Sequence, residues 1–358
     1  MKFHQLNIKD IRRETADCVS IAFDVPEALK TEFAFTQGQY LTLKAHINGE
    51  EVRRTYSICT APSDNELRIA VKEVTDGVFS TYANRVLKKG DVLEAMPPLG
   101  HFFSPLSEGV HSDSINTQKH YVFFAAGSGI TPVISNIKAV LKAEPLSICT
   151  LIYGNRYVST IIFKEEIENL KNMYLGRFQV FNVLSRERTE SELLHGRLDK
   201  EKIACFFDKI PHLGGGDEFF SCGPIEMTEA LKAVLTEQDV DEKHIHFELF
   251  NAPKTQNSKL KTQNAIDSLA TIKLDGLTFD VPIDKGQTIL EAAQAVGADM
   301  PYACKGGVCC TCRAKLVEGD VEMLVNYALT KEETDAGFIL TCQAIAKSDK
   351  VVVDFDIK

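Results

Sequence analysis

The sequence lacks any long apolar run, and no stretch approaches the roughly 18 consecutive apolar residues that span a bilayer. Its opening residues, MKFHQLNIKDIRRE, lack the apolar core of a signal peptide. Basic residues are also in deficit, since 40 Lys and Arg face 50 Asp and Glu. Nucleic acid is therefore not expected as a partner, because phosphate binding needs clustered basic side chains. These absences predict a cytoplasmic protein, and a protein partner with a basic patch fits its net charge of −10.

The ten Cys are not spread as a disulfide framework would spread them, because four fall within CKGGVCCTC near the C-terminus. Cys304, Cys309 and Cys312 have the C-x4-C-x2-C spacing of plant-type [2Fe–2S] sites, and Cys342 follows in LTCQ as the fourth ligand. Choosing Cys310 instead of Cys309 would break that spacing, so Cys310 is not expected to be a ligand. The alternatives are a redox disulfide or a zinc site, although zinc ribbons usually have two CxxC pairs and this chain has one.

The pattern of apolar, polar and turn residues predicts three domains and one linker. Residues 1–108 contain short β-rich runs separated by Pro, Gly, Asn and Asp, which predicts an antiparallel barrel, with one helix over 79–89. Residues 109–250 alternate apolar strands with helical spacing, which predicts a doubly wound parallel sheet. Residues 251–266 are polar, hold three Lys and no acid, and are predicted to be a linker. Residues 267–358 form the third predicted domain.

A glycine-rich turn follows the predicted strand YVFFAA. Gly127, Gly129, Thr131 and Pro132 belong to GSGITP, which begins like a dinucleotide-binding fingerprint but has Pro at the third glycine position. Such a turn lets backbone donors reach a pyrophosphate. Pro132 suits the first helical turn, and Thr131 is expected at the N-cap.

These motifs together resemble the ferredoxin–NADP reductase superfamily, followed over residues 267–358 by a plant-type ferredoxin domain, an α+β fold of the β-grasp type. RTYS resembles the superfamily's flavin motif. The resemblance implies that Arg54 pairs with the FAD pyrophosphate, Thr55 and Tyr56 line the flavin, and Ser57 bonds near flavin N5. A second pyrophosphate contact is implied for Gly77, Phe79, Ser80 and Thr81, where an ordinary helix cap is the alternative.

The resemblance also assigns roles on the nucleotide side. Cys222, Gly223 and Pro224 match the CGP motif, in which the Cys faces the nicotinamide; a buried core thiol is the alternative. Ser185 and Arg186 match a pair that holds the ribose 2′-phosphate, which favours NADPH and leaves NADH possible; a solvated loop charge is the alternative. Glu248 and Phe250 match the carboxylate and aromatic residue that reach the flavin. Tyr56, Ser57, Cys222 and Glu248 are the implied catalytic set.

This order of domains is typical of the reductase components of bacterial multicomponent oxygenases. The implied function is electron transfer from NADPH through FAD and the [2Fe–2S] cluster to an oxygenase. A flavin joins the two cofactors chemically, because a nicotinamide gives hydride whereas an iron–sulfur cluster accepts one electron at a time. Two alternatives stay open: the same kind of reductase serving a desaturase, a ring-hydroxylating dioxygenase or a hybrid-cluster protein, and a non-catalytic iron–sulfur redox sensor.

Overall fold

The computed structural model describes residues 2–106, 118–250 and 267–357. The predicted linker, 251–266, and the predicted boundary near residue 108 lie outside the described residues. The described chain divides into two compact units. One holds residues 3–52 and 56–249; the other holds the C-terminal part from residue 250 together with residues 53–55 and the N-terminal end. None of the described helices is long and apolar enough to cross a membrane.

The first unit begins with a six-stranded sheet of order β4-β3-β6-β1-β2-β5. Its elements are β1 (His4–Thr15), β2 (Cys18–Asp24), β3 (Tyr40–Ile47), β4 (Glu50–Ser57), β5 (Leu67–Lys72), α1 (Val78–Arg85) and β6 (Val92–Ala95). An antiparallel bridge between Ile58 and Ile69 brings the ends of the two outer strands together, so the sheet curls into the predicted barrel. Alternating apolar side chains such as Leu6, Ile21 and Leu41 are fully buried inside it. Helix α1 ends four residues before the predicted limit, at Arg85.

The same unit continues with a five-stranded parallel sheet of order β11-β10-β7-β8-β9. Its elements are β7 (His120–Ala126), α2 (Ile130–Ala143), β8 (Ile148–Asn155), α3 (Lys164–Met173), β9 (Phe178–Leu184), α4 (Lys200–Lys209), β10 (Glu218–Cys222), α5 (Ile225–Glu237) and β11 (Ile245–Glu248). Val122, Phe123 and Phe124 are all fully buried, because helices cover both faces of the central strand.

The strand order reverses at β7, because β8 and β9 lie on one side of it whereas β10 and β11 lie on the other. In open parallel sheets, ligands bind outside the carboxyl ends of the strands at such a reversal. The turns that follow β7 and β10 are GSG and CGP, so the topology brings both predicted nucleotide motifs to this crevice.

The second unit contains a five-stranded sheet of order β13-β12-β18-β14-β16 and a two-stranded sheet of β15 and β17. Its elements are β12 (Ser268–Leu274), β13 (Leu277–Ile283), α6 (Ile289–Ala295), β14 (Arg313–Glu318), β15 (Val321–Met323), α7 (Lys331–Asp335), β16 (Phe338–Leu340), β17 (Ala344–Ala346) and β18 (Lys350–Asp354). A parallel central pair, β12 and β18, with a helix packed on the sheet is the predicted β-grasp arrangement. A capping box of Thr288 and Glu291 sets the start of α6.

Candidate functional site

Strand β4 carries the four predicted flavin residues at its C-terminal end. Strand alternation places Arg54 and Tyr56 on one face and Ser57 on the other. Arg54 is exposed and donates a hydrogen bond to the Arg53 carbonyl at 2.7 Å, whereas Thr55 and Tyr56 are half-buried and Ser57 is buried. An exposed guanidinium beside a half-buried aromatic ring suits a ligand that has both an anionic part and a planar part.

The start of α1 lies against this strand. The rings of Tyr56 and Phe79 are 5.3 Å apart, so the two predicted flavin segments meet in the fold. Gly77 is required by close packing, because a Cβ there would lie 2.2 Å from the Ser80 Oγ. That hydroxyl accepts a hydrogen bond from the Val74 backbone N–H and donates one to the Gly77 carbonyl, so it is used within the turn. Half-buried Thr81 and the N–H groups of the first turn are the donors left for an anion.

The GSG turn after β7 is a short 3-10 helix, Gly127–Gly129, that continues directly into α2. The helix therefore begins at Ile130, and the expectation that Thr131 is its N-cap is wrong. Thr131 lies in the first turn and donates a hydrogen bond from its hydroxyl to the Ser128 carbonyl at 3.0 Å. Pro132 occupies the first turn as predicted, where its missing N–H costs no helical hydrogen bond.

The two nucleotide turns are packed against each other. A Cβ on Gly129 would lie 2.0 Å from the Cys222 carbonyl oxygen and 3.0 Å from the Gly223 nitrogen. No side chain fits into that space, so glycine is the residue that lets the turns approach. The Tyr153 hydroxyl, from the end of β8, donates a hydrogen bond to the Gly127 carbonyl at 2.8 Å. Three segments distant in the sequence thus form one backbone-lined crevice.

Glu248 joins the nucleotide sheet to the flavin strand. The hydroxyl of Ser57 donates a hydrogen bond to Glu248 Oε2 at 2.7 Å, and the register of β10 and β11 places Glu248 beside Cys222. Burial raises the pKa of Glu248 to about 7, and the Ser57 hydrogen bond opposes that rise. The pKa of Cys222 is raised well above its usual value, first by burial and then by the nearby Glu248 charge. A carboxyl group that titrates near neutrality is suited to proton exchange.

Four Cys thiols converge in the second unit, and the bonds among them link the predicted ligands. The Sγ atoms of Cys304 and Cys309 are 3.1 Å apart. Hydrogen bonds from the thiols of Cys309 and Cys342 lower the pKa of Cys304, and one from Cys342 lowers that of Cys312. A backbone donor also reaches one of the sulfurs: the Gly306 N–H donates a hydrogen bond to Cys304 Sγ at 3.4 Å.

Cys310 is turned to a different partner. Its thiol donates a hydrogen bond to the Ala328 carbonyl at 3.2 Å, and burial raises its pKa to about 12. Within the described ranges, no three His, Cys, Asp or Glu side chains surround the position of a single metal ion. Four convergent thiols with the C-x4-C-x2-C spacing fit a cluster of two irons.

Comparison with known families matches each part of the chain separately. Residues 5–103 match the oxidoreductase FAD-binding domain, residues 123–233 the oxidoreductase NAD-binding domain, and residues 272–347 the 2Fe-2S iron-sulfur cluster binding domain. The chain is 40% identical to a component of the 1,2-phenylacetyl-CoA epoxidase of Escherichia coli (strain K12), over 99% of this chain and 98% of that relative. The chain belongs to the oxygenase reductases that carry FAD- and NAD-binding domains and a 2Fe-2S domain. As such it is an oxidoreductase that uses FAD, a nicotinamide nucleotide and a [2Fe–2S] cluster.

Further relatives align with nearly the whole length of this reductase. It is 31% identical to the ferredoxin reductase component of 3-ketosteroid-9-alpha-monooxygenase from Rhodococcus rhodochrous, over 98% of this chain and 96% of that one. Its fold matches phthalate dioxygenase reductase with a TM-score of 0.58 at 23% identity, covering 99% and 98% of the two chains. It also matches a type IV self-sufficient cytochrome P450 monooxygenase with a TM-score of 0.69 at 22% identity, where 98% of the reductase aligns with 41% of that chain.

The ends of β8 and β9 bring Arg156 close to Ser185 and Arg186, the pair predicted to hold a ribose 2′-phosphate. Arg186 and Ser185 follow β9, and the Arg186 backbone N–H donates a hydrogen bond to the Arg156 carbonyl at 3.0 Å. Both arginines are exposed, so the carboxyl ends of β8 and β9 place two cationic side chains on neighbouring backbones. The parallel pairing of β8 with β9 is what makes Arg156 a neighbour of Arg186. Phe250 follows β11 and is 38% exposed.

Proposed function

We propose that this reductase takes hydride from NADPH and passes single electrons through FAD and its [2Fe–2S] cluster to phenylacetyl-CoA epoxidase. The observation that carries the proposal is the 40% identity to the epoxidase component over nearly the whole of both chains. We assign FAD to residues 1–108, the nucleotide to 109–250, the cluster to 267–358 and a linker to 251–266. The expected cytoplasmic location is part of this proposal.

Bound flavin supplies the conversion between a hydride and single electrons. Around it, Arg54 and the first turn of α1 would hold the pyrophosphate, and Tyr56 would pack on the flavin ring. Ser57 and Glu248 would hold and exchange a proton, since the pKa of Glu248 lies at about 7 and their oxygens are 2.7 Å apart. The Gly127–Gly129 turn and the Cys222–Pro224 turn would seat the nucleotide at the strand-order reversal, with Cys222 beside the nicotinamide.

Arg186 and Arg156 support the choice of NADPH. The 2′-phosphate is the group that distinguishes NADPH from NADH, and guanidinium groups bind phosphate strongly. Two exposed arginines on adjacent backbones beside the nucleotide crevice are suited to that phosphate. NADH would bind the same turns without this contact.

Cys304, Cys309, Cys312 and Cys342 are the proposed cluster ligands. Their thiols converge within the second unit, and N–H donors face them. Thiolates are the ligands that iron–sulfur clusters require, and such donors adjust the reduction potential. Cys304 is the only one of the four that the fold leaves partly exposed, so we assign electron exit to its side of the loop.

The acceptor is proposed to meet an acidic ferredoxin domain. Residues 267–358 hold fifteen acidic and nine basic residues, whereas residues 1–250 hold thirty-five and twenty-eight. The ferredoxin domain thus has nearly the same net negative charge as residues 1–250, although its stretch of sequence is much shorter. An encounter with a basic docking patch would be steered by charge and weakened by salt.

The test is to mix the purified reductase and NADPH with the phenylacetyl-CoA epoxidase oxygenase and to follow product formation at increasing salt. We expect turnover that falls as salt screens the encounter. The 31% identity to a 3-ketosteroid-9-alpha-monooxygenase component makes that oxygenase the second candidate acceptor. Turnover with the second oxygenase and none with the first would overturn the assignment of the acceptor, while leaving the assignment of the cofactors intact.

A further inference from the structure

Strand β11, which carries Glu248, is held in the sheet by few backbone hydrogen bonds. It has four residues and lies at the edge of the sheet formed by the described residues, where it pairs with β10. A short edge strand has few ladder hydrogen bonds and opens more easily than a central strand. The 2.7 Å contact of Glu248 with Ser57 therefore depends on what else holds this strand in place.

Glu218, at the opposite end of β10, binds two His of the last strand and its approach. Its carboxylate accepts hydrogen bonds from His246 Nε2 at 2.8 Å and from His244 Nδ1 at 3.3 Å. Burial acts to raise the pKa of Glu218, but the His246 and His244 hydrogen bonds and charges outweigh it, and the net pKa is lowered. The group is thus ionised near neutral pH, and an ionised carboxylate with two donors makes stronger hydrogen bonds than a neutral one.

The imidazole of His246 is fixed on its face as well as at its edge. It stacks on the Phe220 ring with centroids 4.4 Å apart and planes at 19°. Phe220 in turn stacks on Phe123 at 5.0 Å and meets the edge of Phe102 at 5.4 Å. A ring held by both a carboxylate and a stack of buried aromatic rings has little freedom to move.

The parallel register transmits this restraint along the strand. Phe220 is opposite His246, and Cys222 is opposite Glu248, so His246 and Glu248 point to the same face two residues apart. Displacement of His246 by even one pleat would carry the Glu248 carboxylate away from Ser57. The other titratable groups nearby are Cys222, which faces Glu248, and Tyr121, which faces Glu218 and bonds to Glu144.

We propose that Glu218 is a positioning residue that, through His246 and His244, holds β11 in register so that Glu248 stays bonded to Ser57. The inference rests on the proposed role of Ser57 and Glu248 beside the flavin. The acceptor protein has no part in it.

The experiment uses the full-length holoprotein and its Glu218→Gln variant, which keeps the shape of the side chain and removes its charge. Glu237→Gln is the matched control, because it removes one carboxylate from an exposed pair with Lys200 on α4. Amide hydrogen exchange of the peptide that spans 245–248 should become about tenfold faster or more in Glu218→Gln, since the local opening energy falls. It should be unchanged in the control, and β8 should be unchanged in both.

A second readout follows the Glu248 carboxyl group by infrared titration, with Glu248→Gln to identify its signal. In Glu218→Gln, water gains access to a loosened strand, and the pKa of Glu248 should fall from about 7 towards its ordinary value of 4.5. The fall is expected although the Ser57 hydrogen bond is weakened, because burial is the larger of the two effects on this pKa. A lower unfolding temperature with unchanged exchange at 245–248 and an unchanged Glu248 titration would overturn the proposal, because Glu218 would then stabilise the fold without positioning Glu248.

His246→Phe provides an independent variant, because it keeps the stacked ring and removes the hydrogen bond to Glu218. It should reproduce the faster exchange and the lowered Glu248 pKa. Wild-type values in a folded His246→Phe variant would also refute the proposal. Neither readout requires electron transfer, so failure of the reductase to serve the epoxidase would be recognised separately.

Discussion

Replacement of Glu248 by Gln should stabilise the reductase at high pH and not at low pH. The reason is that burial raises the pKa of Glu248 from its ordinary 4.5 to about 7 in the folded protein. Between these values the folded state keeps a proton that the unfolded state has released. The folded state is therefore penalised progressively as pH rises from about 4.5 to about 7, and the full penalty is present above that range. Gln carries no charge and suffers no such penalty.

The magnitude follows from the size of the pKa change. A difference between 4.5 and about 7 corresponds to on the order of 3 kcal/mol when fully developed. Because part of this change develops below pH 5, the difference between pH 5 and pH 8 is smaller, on the order of 2 kcal/mol. That difference moves an unfolding midpoint by several degrees in a domain of this size, since a change of 1 kcal/mol shifts it by about 2–4 °C.

The assay is thermal unfolding of the wild type and Glu248→Gln at pH 5 and pH 8, followed by the release of flavin fluorescence. The variant should gain stability over the wild type as pH rises. Ser57→Ala should act in the opposite sense, since the Ser57 hydrogen bond lowers the pKa of Glu248 and its loss should move the titration upward. An equal stability gap between wild type and Glu248→Gln at both pH values would contradict a raised Glu248 pKa, as would a lower titration midpoint in Ser57→Ala.

Three further outcomes are expected. Cys310→Ser should keep the visible absorption of the cluster whereas Cys309→Ser should lose it, because the Cys310 thiol bonds to the Ala328 carbonyl; the reverse pattern would exchange their roles. Gly129→Ala should weaken NAD(P)H binding tenfold or more, as measured by equilibrium titration. The reason is that its Cβ would lie 2.0 Å from the Cys222 carbonyl oxygen, and such overpacking costs about 1–3 kcal/mol. Gly215→Ala, which has open space around it, is the control, and equal losses would argue against the close contact. Arg186→Ala should raise the KM for NADPH about tenfold or more and leave the KM for NADH unchanged, because it removes about 1.5–3 kcal/mol of hydrogen bonding to a charged group. Arg156→Ala should have the same effect. Equal effects on both nucleotides would exclude a 2′-phosphate role for either arginine.

Most of the fold could be predicted from the sequence because its signals are local. The apolar strand YVFFAA, the turn GSG and the helix after it lie within 24 residues, from His120 to Ala143. Hydrophobic periodicity and turn residues encode such segments directly. The prediction of Thr131 as a helix N-cap was wrong because a 3-10 turn runs into the helix, and a choice between two turn geometries is decided by packing against the Cys222 turn. The end of α1 was also misplaced, since helix ends are weakly encoded.

By itself, the sequence determined the cofactor chemistry. The spacing of Cys304, Cys309 and Cys312 and the glycine-rich turn are short motifs whose residue types are set by thiolate ligation and by backbone access to phosphate. Only the tertiary structure decided which distant side chains work together. Ser57 and Glu248 are 191 residues apart in the chain and 2.7 Å apart in space, Arg156 becomes a neighbour of Arg186 through β8 and β9, and Glu218 reaches two His of the last strand. Such contacts depend on strand order and register, and no local pattern of residues specifies them because the partners are joined only when the sheets assemble.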